Sequence, residues 1–447
     1  MVQSTPTRLR DLALAHQPDA ALHMLQALSA EERLQALLAL PATDLAALLQ
    51  VLGHERVARL MEHFAPDDAA RILLRLGHAD AADVLEEMGP DDAADVMEEL
   101  EPAVARGILI EMDPAQAQEI RRLMAYDPQT AGGIMTPAFV AVYPHVAAGA
   151  VLASVRQRAE DAETIYYIYV MDQTQRLLGV LSLRDLVLSP AHVPVSKLMR
   201  TEVVKAQVDA DQEAAARLLQ EHRLLAIPVV DHEGRLMGII TADDVARVVR
   251  EEVTEDIARL GGSEPLEHPY LRAGVLEIVR KRVGWLLILF IAGAYTSTVL
   301  SHFEATLSEV VALSFFIPLL IGTGGNVGSQ IVTTLVRAMA VEDVHLGHLL
   351  RVLIKEVSVG VCLGAVMAVA TFLRAWIQGV DPRVGEVVAV TAIAIVVWAS
   401  MVAAVLPLTL RRLGVDPAVV SAPFITTLVD GTGLFIYFTL AHWLLRL

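Results

Sequence analysis

Five apolar stretches follow Arg282: Val283–Leu300, Leu307–Ala340, Leu349–Ile377, Val384–Leu410 and Ala418–Leu445. Each is long enough to cross a bilayer core, which needs about 20 residues. Five such runs in sequence do not fit the packed core of a soluble protein. They explain the 54% hydrophobic content and the mean hydropathy of +0.49. The residues ahead of Leu271 carry a net charge of −20 and those from Leu271 onward +2, which makes up the −18 of the whole chain. The chain therefore joins an acidic soluble half to an apolar membrane half. Nucleic-acid binding wants a basic face, so no nucleic-acid partner is expected. A strong negative field favours cations. The lone cysteine, Cys362, excludes an intrachain disulfide or a cysteine metal cluster.

Flanking charge orients the spans. Arg280, Lys281 and Arg282 precede the first, Arg351 and Lys355 follow the second-to-third connection, and Arg411 and Arg412 lie between the fourth and fifth. With alternating spans these clusters share one side, the cytosolic one. The expectation is a multi-pass protein of the inner (plasma) membrane, with a cytosolic N-terminus and the C-terminus outside. The start of the chain has no apolar signal-peptide core, and its first span comes late.

The second and fifth stretches carry unusual residues. The second contains Gly322-Thr323-Gly324-Gly325-Asn326-Val327-Gly328-Ser329-Gln330 after Pro318. Such glycines serve close helix approach or free carbonyls to line a wet path; Asn326, Ser329 and Gln330 favour the path. The fifth contains Thr426-Thr427-Leu428-Val429-Asp430-Gly431-Thr432-Gly433. An intramembrane carboxylate is costly and marks a functional site. No Lys or Arg within the spans is an evident partner for Asp430, which leaves a passing cation.

In the acidic half, Ala69-Ala70, Ala81-Ala82 and Ala93-Ala94 recur at equal spacing, each just after aspartates. Pro66, Pro90 and early Asp are helix-start signals. Residues from about Leu9 to Leu123 read as stacked short helices, whose acids complement helix dipoles one by one but are unusually dense together. From Met135 the pattern turns to strands and helices and repeats. Thr164–Asp172 and Leu177–Leu186 form one copy, Ala226–Asp231 and Leu236–Val245 the next. Gly179 and Gly238 each open a Gly-apolar-apolar-Ser/Thr-x-x-Asp signature. This resembles a tandem pair of cystathionine-β-synthase (CBS) domains, regulatory modules that often bind adenine nucleotides such as ATP. The resemblance implies Arg184 and Asp185 as nucleotide ligands, with Tyr167 as a stacking partner; a helix cap is the alternative role for Asp185. Arg250–Leu260 then reads as a charged connecting helix, ended by Gly261-Gly262 and Pro265.

An acidic helical domain, a CBS pair, a connecting helix and five spans, in that order, look like the MgtE family of magnesium channels. The motifs Gly322–Asn326 and Asp430–Gly433 are the most specific part of that resemblance. The expected fold is a multidomain α and α/β membrane protein. Its parts are an N domain (1–130), two CBS domains (131–198 and 199–249), a connecting helix (250–271) and a five-helix pore domain (272–447). The resemblance implies a homodimer in the lipid bilayer with an axial pore for Mg²⁺. That pore would be lined by Asp430, Gly325, Asn326, Thr426 and Gly433, with Glu309 near the outer end. It also implies regulatory Mg²⁺ held by Asp91, Asp95 and Asp244, and by Glu213 with Glu252, Glu255 and Asp256. Two positions where the family would carry acids are Arg223 and Arg247 here. An ion-coupled secondary transporter of divalent cations is the alternative activity. No nucleophile–base constellation or phosphate loop points to an enzyme.

Overall fold

The repeated Ala-Ala pairs have a packing reason. In the computed structural model, which describes residues 5–159, 162–266, 268, 270–340 and 344–446, all six of those alanines are buried. They let Pro66–Leu73, His78–Glu86 and Pro90–Glu98 pack closely within a run of short helices from Thr5–Leu14 to Pro114–Leu123. Pro66 and Pro90 stand in first turns as expected, as do Pro18, Pro102 and Pro114. Helices this short are marginal alone, so their stability comes from packing. The chain divides into two compact units, Met1–Arg250 and Glu251–Leu447.

Within the first unit the α/β repeat appears as two three-stranded sheets. In one, β1 (Phe139–Val142) pairs parallel with β2 (Thr164–Met171), which pairs antiparallel with β3 (Leu177–Ser182). In the other, β4 (Ala206–Gln207), β5 (Ala226–Val230) and β6 (Leu236–Thr241) repeat that order. The two sheets exchange equivalent hydrogen bonds, Leu177 N–H to Gly234 O at 3.0 Å and Leu236 N–H to Gln175 O at 2.9 Å. Tyr169, Leu236 and Ile239 pack between them. Residues 130–136 open the first repeat in sequence yet pair with the second sheet: Ala131 donates to Ala210 O, and Thr136 and Ile239 bond reciprocally. One apolar core runs from the short helices into the second sheet, through Ile227, Val229, Ile240 and Val245. The N domain is thus folded onto the second CBS domain.

The second unit holds the end of the connecting helix (Ala242–Leu260) and five apolar helices: Val275–His302, Ile317–Ala340, Leu349–Ile377, Pro382–Arg412 and Ala422–Leu445. The first begins before Val283, so Arg280, Lys281 and Arg282 lie on its first turns. The second starts as an α-helix only at Ile317, behind a short helix (Glu304–Glu309) and a 3₁₀ segment (Val311–Phe316). Pro318 suits a first turn, where its missing N–H is not needed. Small residues set the crossings. A Cβ on Gly324 would lie 2.5 Å from Ile395 Cγ2 and 2.8 Å from Val429 Cγ1, and one on Gly328 would lie 2.5 Å from Ile425 Cγ2. Gly360 and Gly364 let the third helix meet the fourth in the same way, against Ser400 and Ile393. Gly322, by contrast, faces nothing within 4 Å.

Gly324→Ala is therefore expected to destabilise the detergent-solubilised protein by about 1–3 kcal/mol through overpacking. Gly322→Ala should be neutral or stabilising, because Ala is the better helix former. Thermal melts of the two variants check the contrast; equal melting temperatures would remove the close crossing.

Candidate ion pathway and carboxylate cluster

Asp430 sits on the fifth span with one carboxylate oxygen, Oδ1, buried and without a hydrogen-bond partner. A buried acceptor left unmet costs about 1–3 kcal/mol, and more when charged. Its flanks are packed: a Cβ on Gly431 would meet Tyr295 at 2.4 Å, and Gly433 lies against Ile395. Nearby hydroxyls are already engaged. Thr432 receives the Trp398 indole N–H at 2.9 Å and donates to Leu428 O at 2.8 Å. Thr426 donates to Ala422 O at 3.0 Å and lies 3.2 Å from Ser329 Oγ.

Gly325 is buried, and its missing side chain leaves room for Thr426, whose Cγ2 would be 2.8 Å from a Cβ there. The second span thus uses Gly324, Gly325 and Gly328 for close approach within one regular helix, and its polar side chains for something else. Asn326, Gln330 and Thr333 are exposed in this single chain, with Thr323 partly so. At helical spacing they form one polar face on an otherwise apolar helix. Glu309 is exposed at the end of the short helix before the 3₁₀ segment.

In the first unit, Asp91, Asp95 and Asp244 lie near one another, with Glu62, Asp92 and Glu163 beside them. Arg247 bridges the N domain and the second CBS domain, 2.9 Å from Asp95 Oδ2 and 3.5 Å from Asp244 Oδ1. Asp244 also accepts from Thr241 Oγ1 at 2.7 Å. Asp91 Oδ1 is buried with no partner, and burial raises the Asp91 carboxyl against a hydrogen bond from Thr136. Asp92 is pushed up to about 8 by burial and by the charges of Asp91, Glu62, Asp244 and Asp95. Glu163 rises to about 7, through desolvation and then Asp91, Asp243 and Asp244. Asp244 rises to about 6, burial and Asp91 outweighing Thr241 and Arg247. Among the described residues no three His, Cys, Asp or Glu side chains are placed to hold one ion directly. The cluster is a region of crowded, partly neutralised acid with one built-in cation.

The remaining candidates are spread out. Glu213 pairs with Arg217 at 2.8 Å on its own helix. Arg223 takes a left-handed conformation, φ 51°, just after that helix. Glu255 pairs with Arg259, which also pairs with Asp416 beside the fifth span. Glu252 and Asp256 lie on the same connecting helix and are partly exposed. In the first CBS copy, Ser182 Oγ caps the helix Leu183–Leu188 by accepting from Asp185 N–H at 3.1 Å. Arg184 is exposed on that first turn, and Tyr167 faces Ser182 across the β2–β3 ladder. Glu62 and Glu163 belong to no motif, and Asp92 reads in its Pro-Asp-Asp-Ala-Ala unit only as a helix-start acid; the excess of acid alone hinted that the three gather here.

Five apolar helices, one of them carrying Asp430 with a buried and unpartnered oxygen, follow a paired CBS module and an acidic helical domain in the chain, and together they define a membrane transport protein for cations. A family profile described as "MgtE: Divalent cation transporter" matches residues 317–440. "MgtE intracellular N domain" matches 28–129, and "CBS domain" matches 131–191 and 195–251. "Magnesium transporter MgtE" of Thermus thermophilus is 41% identical over 328 residues, 73% of each chain. Its namesake in Enterococcus faecalis is 32% identical, covering 74% of this chain and 72% of its own. A solved structure titled "Crystal structure of the soluble part of a magnesium transporter" is 29% identical, with a TM-score of 0.51, covering 56% of this chain and 99% of that one. An inosine-5'-monophosphate dehydrogenase of Streptococcus pyogenes matches over only 63 residues, 14% of this chain. The chain belongs to the MgtE family of divalent-cation transporters, and it is not an enzyme.

The raised carboxyls give a pH expectation for the metal-free protein. Their folded pKa values lie above the unfolded ones, so the folded unit binds more protons between about pH 4 and 8. The stability they lend is complete below about pH 4 and lost as pH rises through 6, 7 and 8, where Asp244, Glu163 and Asp92 ionise. Hydrogen exchange in the helix Pro90–Glu98 of the full chain, corrected for intrinsic rates, should show protection falling from about pH 6 to 8. Asp92→Asn should flatten that fall. An unchanged slope would mean that Asp92 is ionised throughout.

Proposed function

We propose that the protein is a homodimeric, Mg²⁺-selective channel that admits Mg²⁺ to the cytosol and closes when cytosolic Mg²⁺ is high. The observation that carries the pore reading is the unpartnered oxygen of Asp430 on an apolar helix. The polar face of the second span, from Thr323 to Thr333, supports it: a face this polar suits water and a second copy of the chain better than lipid. Asp430 and Asn326 from two chains, with Thr426 and the Gly325 crossing behind them, line the path; Gly433 fits the fifth helix against the fourth. Mg²⁺ sheds water reluctantly and is commonly held through one or two carboxylates and its own waters. Two Asp430 side chains meet that description, and binding of this kind is loose enough for release. Glu309 raises the local cation concentration at the outer mouth. The basic clusters at Arg280–Arg282, Arg351 and Arg411–Arg412 support an N-terminus on the inside.

Closure follows from the acid cluster. At neutral pH, Asp91, Asp92, Glu163 and Asp244 resist simultaneous ionisation, and a divalent ion turns their repulsion into attraction. The ion biases the gate only by binding the closed form better. Glu213 and the connecting-helix acids Glu252, Glu255 and Asp256 add further weak sites, so the response is shared. Arg247 already supplies one positive charge at the N domain–CBS junction, so that junction needs less Mg²⁺. An adenine nucleotide binds the CBS pair at Arg184, Asp185 and Tyr167 and tunes the same response.

Asp430→Ala should abolish Mg²⁺ flux into liposomes while size-exclusion still reports a folded dimer; wild-type flux would take Asp430 out of the pore. Asp91→Asn or Asp244→Asn alone should raise the inhibiting internal Mg²⁺ only a few-fold, as currents at varied internal Mg²⁺ will report. Inhibition identical to wild type in the double variant would remove this cluster from the sensor. Calorimetry with ATP should give saturable heat that Asp185→Ala weakens, whereas no heat at millimolar nucleotide would end the nucleotide reading.

A further inference from the structure

A pocket of about 460 Å³ lies in the second unit, lined by none of the residues assigned to the ion path. Its walls are the last turns of the connecting helix, the turn after it and the first turns of the first span. Thr254, Ile257, Leu266, Tyr270, Lys281 and Arg282 face it. The Lys281 side chain is only 19% exposed, whereas Glu264, which also lines the pocket 3.9 Å from its ammonium, is 73% exposed. The Glu264 N–H donates to Lys281 O at 3.0 Å, which ties the turn to the span. His268, at the rim, pairs with Glu277 at 3.2 Å.

Two features of this pocket select its ligand. Lys281 and Arg282 offer charged donors of the kind that hold phosphate oxygens. Beside them Ile257 and Tyr270 are each 66% exposed, although both are large and apolar-bodied. Cations next to exposed apolar surface, where a membrane span begins, suit an amphipathic anion rather than free phosphate. We propose that this pocket binds the phosphodiester headgroup of an anionic phospholipid from the adjoining leaflet. Lys281 and Arg282 hold the phosphate, and Ile257 and Leu266 cover the glycerol and first methylenes. Because the connecting helix forms one wall, the lipid fastens that helix to the first span, and membrane composition becomes an input to the gate. The proposal rests on the transport reading only in taking the basic span ends as one membrane face.

The test uses the full chain in nanodiscs of phosphatidylcholine with and without phosphatidylglycerol, and native mass spectrometry of lipids retained after mild detergent release. Retained phosphatidylglycerol should exceed phosphatidylcholine, and Lys281→Gln and Arg282→Gln should each lower it about fivefold, near the effect of one surface charge. Arg351→Gln and Arg412→Gln, which remove charges of the same sign from other span ends, should leave it unchanged. Thr254→Glu, which adds a carboxylate to the pocket without touching Lys281 or Arg282, should also expel the lipid if the Lys281 or Arg282 variants fold poorly. Equal retention of both lipids, or an equal loss in the Arg351 and Arg412 variants, overturns the site. Displacement by glycerol 3-phosphate as effectively as by lipid overturns the lipid assignment in favour of a free anion. Mg²⁺ uptake by liposomes of the same protein reports the transport reading separately.

Discussion

A carboxylate taken out of water must find a cation, a proton or a set of donors, because the ionised group alone is among the costliest to bury. Both units of this chain are organised around that constraint. In the membrane unit a single Asp430 oxygen is left without a partner, although threonines and serines stand within a turn or two. Their hydroxyls are turned to helix carbonyls or to Trp398 instead. The helices around it approach closely through glycine, so the site is held in shape by packing and not by its own hydrogen bonds.

The cytosolic unit meets the same constraint in three ways at once. Protons are retained by Asp92 and Glu163 into the neutral range. Arg247 gives Asp95 and Asp244 a fixed counter-charge. Asp91 keeps an oxygen with neither. A region neutralised by a mixture of protons and one arginine keeps unbalanced acid at neutral pH. It is also connected: the short helices share their core with the second CBS sheet, so a change of charge at the junction is felt by packed elements on both sides.

The membrane architecture was plainly legible in the chain. Apolar length, the three basic clusters and the odd carboxylate required no tertiary information, since hydropathy and the isolation of Asp430 are properties of the sequence itself. The repeated Pro-Asp-Asp-Ala-Ala units and the paired Gly-apolar-apolar-Ser/Thr signatures gave the helical stack and the two sheets for the same reason: local pattern and local structure coincide. Boundaries were less clear where a proline or a run of charge sits inside an apolar trend. The second helix starts at Ile317 rather than Leu307, and the first reaches back to Val275.

Tertiary structure decided what depends on who meets whom. Glycines in the second span could have served carbonyl exposure or packing, and only the positions of Ile395, Val429, Ile425 and Thr426 showed that Gly324, Gly325 and Gly328 admit neighbouring helices. Residues 130–136 precede the first sheet in sequence but hydrogen-bond to the second, because strand partners are set by the sheet and not by chain order. Glu163, Glu62 and Asp92 join the acid cluster from three separate segments, and Arg247 enters it as its cation. Sequence determined how much acid the chain carries and where its spans lie. Folding alone determined which acids crowd together, which of them keep a proton and which keep an oxygen without a partner.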